Sequence, residues 1–117
     1  VFYPRILAYM NEAAHAFLEQ AGFPLSRLAE QGVIGVPMVS LSVEYTKVLK
    51  LGDRATIETE VTDIGRSSIK FAHKLFVGQD EAASAKEVRV YAGRADDGAI
   101  AARPVPEDVR AALLARQ

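Results

Sequence analysis

Pro4-Arg5-Ile6-Leu7-Ala8-Tyr9-Met10-Asn11-Glu12-Ala13-Ala14-His15-Ala16-Phe17-Leu18-Glu19-Gln20-Ala21 is the stretch on which the fold turns. Ile6, Met10, Ala13, Ala14, Phe17 and Ala21 recur at helical spacing, with Leu7 and Leu18 widening the stripe. The spacing predicts an amphipathic helix over residues 4–21. Pro4 suits its first position, where the missing N–H would find no partner anyway, and Gly22 is placed to end it in a left-handed cap. At ~1.5 Å per residue the helix would run ~27 Å, enough to lie across a sheet.

A short helical turn from about Leu25 to Glu30 follows, bracketed by Pro24 and Gly32, and Gly35 and Pro37 separate it from a change of period. Val39, Leu41, Val43 and Tyr45 then share one face of a strand, with Ser40, Ser42, Glu44 and Thr46 on the other. After a turn at Gly52-Asp53, Ala55, Ile57, Thr59 and Val61 alternate with Thr56, Glu58, Glu60 and Thr62 in a second strand. Residues 63–67, with Gly65, make a hairpin connection. Ile69, Phe71, His73, Leu75 and Val77 form the inward face of a third strand, which Gly78-Gln79-Asp80 ends. A fourth is expected over residues 83–95, Val88, Val90 and Ala92 facing one way and Glu87, Arg89 and Tyr91 the other. Pro106 can open a last helix with Glu107 and Asp108 in its first turn and Arg116 in its last. A long helix followed by four antiparallel strands gives an α+β fold, the sheet wrapped around the helix.

The 117 residues, 50% of them hydrophobic, suit one domain. Fourteen basic against fifteen acidic side chains create no overall field for nucleic acid or an anionic membrane, so an anionic ligand must be held locally. The absence of cysteine excludes a disulfide framework, a thiolate nucleophile and thiolate metal sites. No apolar run approaches the ~20 residues that span a bilayer, and the chain reads as cytosolic. Because it opens on Val1 inside an apolar-aromatic stretch, native residues are expected to precede it.

There is no Gly-x-Ser-x-Gly elbow, phosphate-cradling Gly-rich loop or His-Glu-x-x-His helix. His15 and His73 lack ligand spacing and read as structural or surface residues, and no metal or cofactor is expected. Tyr3, before Pro4, takes the N-cap position, where Ser, Thr, Asp or Asn would normally accept from the first-turn amides. Those amides can polarise a carbonyl or hold an oxyanion; solvent or upstream residues could satisfy them equally. Asp63-Ile64-Gly65-Arg66-Ser67-Ser68 has the ingredients of a phosphate grip and also of an ordinary hairpin tip. Asn11 and Glu12 face either solvent or a pocket between subunits.

Taken together, Val1-Phe2-Tyr3-Pro4, Asn11-Glu12-Ala13-Ala14, residues 32–40 (Gly-Val-Ile-Gly-Val-Pro-Met-Val-Ser) and Arg66-Ser67-Ser68 resemble the 4-hydroxybenzoyl-CoA thioesterase family over nearly the whole chain. In that family the helix follows a first strand and a motif of the type Asp-Pro-Ala-Gly-Ile-Val-(Trp/Phe)-Tyr-Pro, of which Val1 looks like the Val. The resemblance implies a hotdog fold with its first strand absent from this chain, a homodimer or homotetramer, and active sites at subunit interfaces. It implies an acyl-CoA substrate and a catalytic Asp just before Val1, which attacks the thioester or activates water. The backbone N–H of Tyr3 would stabilise the oxyanion, and the chain by itself would bind rather than turn over its substrate. Arg66 and Ser67 resemble positions near the coenzyme A phosphates. Asn11 stands where the hydroxybenzoyl enzyme has an Asp near the ring hydroxyl, and Val36 replaces a polar pocket residue, so a different acyl group is expected. A non-catalytic acyl-binding or assembly module is the alternative, and a hotdog hydratase or dehydratase a third possibility.

Overall fold

The computed structural model describes residues 3–30, 32–47 and 54–115, with residues 3–7 as backbone. Val1, Phe2, the turn at Gly52-Asp53 and Arg116 lie outside the described residues.

Helix α1 spans Tyr3–Gln20 and α2 Leu25–Glu30. Gly22 ends α1 at φ 96°, with Phe23 N–H donating to the Leu18 carbonyl at 2.9 Å and Gly22 N–H to that of Glu19 at 3.0 Å. This pair of bonds is the Schellman arrangement that a left-handed glycine permits. At the other end α1 starts at Tyr3, one residue before the expected boundary. Pro4 therefore takes the second position, still inside the first turn, where a missing N–H breaks no helical bond.

Among the described residues seven strands follow where four were expected. They are β1 (Val33–Gly35), β2 (Met38–Tyr45), β3 (Ala55–Ile64), β4 (Ser68–Val77), β5 (Asp80–Val90), β6 (Ala92–Arg94) and β7 (Ile100–Ala102), before helix α3 (Glu107–Ala115). All pair antiparallel, in a four-stranded sheet of order β2-β5-β4-β3 and a three-stranded one of order β1-β6-β7. The expected fourth strand is broken at Tyr91, whose N–H donates to the Ser67 carbonyl and whose carbonyl accepts from Arg103 N–H, both at 2.8 Å. Tyr91 thus hands the chain from one sheet to the other.

The first strand also departs from simple alternation. Met38 pairs with Arg89 but Ser40 with Val88, a bulge that places Val39 off the inward row and leaves it 61% exposed. Leu41 and Val43, still in phase, pack with Met10 of α1, Ala85 of β5 and Ile57 of β3. A larger cluster joins Ala14, Phe17 and Leu18 of α1 to Val61, Ile64, Ile69 and Phe71 of the sheet and to Val109 and Leu113 of α3. The apolar stripe of α1 therefore lies on one face of the sheet, the arrangement expected from its length and pattern.

Candidate active site

Alternation along β4 puts Ile69, Phe71, His73 and Leu75 on the face that α1 covers, and all four are at most 1% exposed. Their cross-strand partners on β5 are Arg89, Glu87, Ala85 and Ala83. Register therefore carries two charged residues into the core: Glu87 and Arg89 are buried with His73 beneath the helix. Charges are seldom left in such a place without partners.

The partners are present. Arg89 Nε donates to Glu87 Oε1 at 2.9 Å, with a longer contact from Nη2 to Oε2 at 3.4 Å. Nη1 donates to the Val36 carbonyl at 3.0 Å and Nη2 to Asn11 Oδ1 at 2.8 Å. On the other side of the carboxylate, His73 Nε2 stands 3.2 Å from Oε1, and Nδ1 shares a 2.8 Å hydrogen bond with Thr59 Oγ1. Phe71 stacks on the imidazole, centroids 6.2 Å apart, and meets Phe17 of α1 edge-on at 5.9 Å. Burial would raise the Glu87 carboxyl, but the close approach of His73 together with the hydrogen bonds and charge of Arg89 outweighs it and holds the group below its ordinary value.

Asn11 and Val36, two residues that the family resemblance points to, are thus brought to one guanidinium. Asn11 lies on an exposed part of α1, whereas Val36 is buried between β1 and β2. Tyr3 is the first residue of α1, whose opening turn contains no acidic side chain. Arg66 and Ser67 lie in the β3–β4 turn, with the Arg66 side chain exposed and without a partner among the described residues. The turn is held by its backbone: Arg110 donates to the carbonyls of Ile64 and Gly65 at 2.8 and 2.9 Å, and Val105 N–H to that of Arg66 at 2.7 Å. Because Ser67 bonds Tyr91, which follows Arg89 by two residues, the turn sits at the same end of the sheet as the buried cluster. His15 stays apart, bonded to the Asn11 carbonyl of its own helix at 2.8 Å.

Sequence reasoning did not single out Glu87 and Arg89. The available signal was Tyr91 in phase with both, since an aromatic on a charged face hints that the face turns inward. Among the described residues no group of three or more His, Cys, Asp or Glu could hold a metal, and no helix is long and apolar enough to cross a membrane.

The profile of the thioesterase-like superfamily matches residues 3–113. A 1,4-dihydroxy-2-naphthoyl-CoA hydrolase of Synechococcus elongatus is 25% identical over 91 residues, covering 77% of this chain and 67% of that protein. Among solved structures, a gentisyl-coenzyme A thioesterase superposes with a TM-score of 0.79 at 30% identity, covering 97% of this chain and 85% of the other. The 4-hydroxybenzoyl CoA thioesterase of Pseudomonas sp. strain CBS-3 gives 0.84 at 26% identity, covering 96% and 85%. The α1-on-sheet arrangement is the hotdog fold these structures share.

Proposed function

The chain belongs to the thioesterase-like superfamily, and from that premise we propose that it hydrolyses an acyl-CoA thioester to the free acid and CoA. The attacking group, or the base that activates water, is an Asp expected just before Val1. Attack on the thioester carbon moves the carbonyl electron pair onto oxygen, and the Tyr3 backbone N–H at the positive end of α1 receives that charge. Collapse of the adduct expels the CoA thiolate, which takes up a proton. With a carboxylate nucleophile the mixed anhydride is then hydrolysed by water.

In this reading Asn11 and Val36 bound the acyl end of the site, and Arg66 and Ser67 stand near the CoA phosphates. The observation that carries it is convergence: Asn11 on the helix and Val36 on the loop, far apart in sequence, meet at Arg89. An exposed guanidinium at Arg66 without a partner among the described residues suits a phosphate ligand.

A homodimer or homotetramer completes the proposal. Edge strand β2 has only β5 beside it among the described residues and carries the exposed Val39 and Tyr45, features that favour pairing with a second copy. The test is release of free thiol from acyl-CoA by the full-length protein, alongside a variant with the upstream Asp replaced by Asn and light scattering for oligomer size. Loss of turnover with an intact fold in that variant supports the mechanism. No turnover across short, long and aromatic acyl groups would overturn it.

A further inference from the structure

A guanidinium has donors and no acceptor. The Asn11 side-chain atom 2.8 Å from Arg89 Nη2 is therefore the amide oxygen, and the NH2 group is turned away from Arg89. Arg89 has little room to adjust: its other bonds run to Glu87 and to the Val36 carbonyl, and it is 2% exposed. Asn11 Nδ2, by contrast, is on an exposed residue and has no hydrogen-bond partner among the described residues.

We propose that Arg89 is a positioning residue that fixes the polarity of Asn11, so that the site offers a hydrogen-bond donor and selects acyl groups carrying an acceptor oxygen. This rests on the reading of Asn11 as a residue of the acyl end. A ketone, ether or carboxylate oxygen can accept from Nδ2; a plain alkyl or aryl end leaves that donor unmatched once water is excluded. Asn11 lies ~12 Å along the helix axis from Tyr3. Subtracting a hydrogen bond of about 3 Å at each end leaves about 6 Å between thioester oxygen and acceptor, the reach of a para-substituted benzoyl group.

The test is a panel of CoA thioesters of 4-ethylbenzoic, 4-acetylbenzoic and 4-(hydroxymethyl)benzoic acids, assayed with the full-length protein. The acetyl compound is expected to exceed the ethyl one about tenfold in kcat/KM, mostly through KM. Asn11→Asp replaces the free donor by an acceptor while still pairing with Arg89. It should abolish the preference for the acetyl over the ethyl compound and favour the hydroxymethyl compound, whose O–H can donate to the carboxylate, over the acetyl one. The double variant Glu87→Gln, Arg89→Met removes the guanidinium without stranding a buried carboxylate, frees the amide to flip, and should reduce the acetyl preference to within about twofold. Arg89→Lys, still a donor, should restore part of it. Equal kcat/KM for the ethyl and acetyl compounds in the parent protein, or an unchanged order in Asn11→Asp, would overturn the inference while leaving hydrolysis standing. Absence of turnover of every acyl-CoA, including simple alkyl ones, would overturn the hydrolase reading and this inference with it.

Discussion

His73 Nε2 lies 3.2 Å from Glu87 Oε1 with both side chains withdrawn from solvent, yet the two are not aligned for a hydrogen bond and Nε2 has no other partner among the described residues. The same carboxylate oxygen accepts from Arg89 Nε at 2.9 Å, so the guanidinium makes the closer, aligned contact and the imidazole stands beside it. Glu87 is therefore chiefly the counter-charge of Arg89, and His73 is anchored from the far side by Thr59.

Glu87→Gln should accordingly be costly. It leaves a guanidinium charge buried without compensation, a loss of about 3–5 kcal/mol. Adding Arg89→Met should recover much of it, because the replaced pair has apolar neighbours in Phe71 and Leu41 across the strands. Denaturant unfolding of the parent, single and double variants measures the difference.

The depressed Glu87 carboxyl also sets a pH dependence. Its ordinary value is 4.5 and its value in the fold is lower. The unfolded chain thus binds the proton first as pH falls, and the stabilisation, complete well above pH 4.5, drains away as pH drops through the folded value. Thermal melts between pH 7 and pH 3 should show a steeper acid loss in the parent than in Glu87→Gln. Identical acid limbs would contradict the assignment.

The oxyanion role of Tyr3 separates side chain from backbone. Tyr3→Phe keeps the N–H and should retain most activity. Tyr3→Pro deletes the donor at a position where helix geometry tolerates proline, and should lower kcat by about 10²–10³-fold. Steady-state rates on one acyl-CoA decide between them, with circular dichroism checking the fold.

Arg66→Ala should raise KM for acyl-CoA several-fold with little change in kcat, since the side chain is exposed and bonded to nothing described. The matching acyl-pantetheine, which lacks the nucleotide phosphates, should show no such rise. An equal effect on both substrates would remove Arg66 from the phosphate site.

Gly93 offers a structural check away from the chemistry. A Cβ there would come within 2.8 Å of the Gly32 carbonyl oxygen and 2.5 Å of Arg103 Cδ. The side chain can move but the backbone oxygen cannot without disturbing β1, so Gly93→Ala should cost about 1–3 kcal/mol by overpacking. A comparison of denaturation midpoints reads it directly.

Much of the architecture is legible in the sequence. The stripe from Met10 to Phe17 and Gly22 after it predicted α1 and its cap, and the alternation of Ile69, Phe71, His73 and Leu75 predicted the inward face of β4. These signals are local: a helix face repeats every three to four residues, a strand face every two, and a left-handed cap needs one glycine. The resemblance carried by Val1-Phe2-Tyr3-Pro4, Asn11-Glu12-Ala13-Ala14, residues 32–40 and Arg66-Ser67-Ser68 supplied the family.

Other features depended on long-range register. The bulge at Val39, the break at Tyr91 and the pairing of β2 with β5 rather than β3 follow from which strands meet, and no short window of residues states that. The same holds for the buried cluster. Glu87 and Arg89 alternate with Val88 and Val90, a pattern that reads equally well with the charges outward. Only the pairing of Phe71 with Glu87 and Ile69 with Arg89 turns them beneath the helix. Sequence by itself determined the helices, the faces of the long strands and the family, because periodicity and motif are properties of neighbours along the chain. The tertiary structure decided which charges are buried and how Asn11 is held, because burial and hydrogen-bond partnership belong to residues that meet only when the chain has folded.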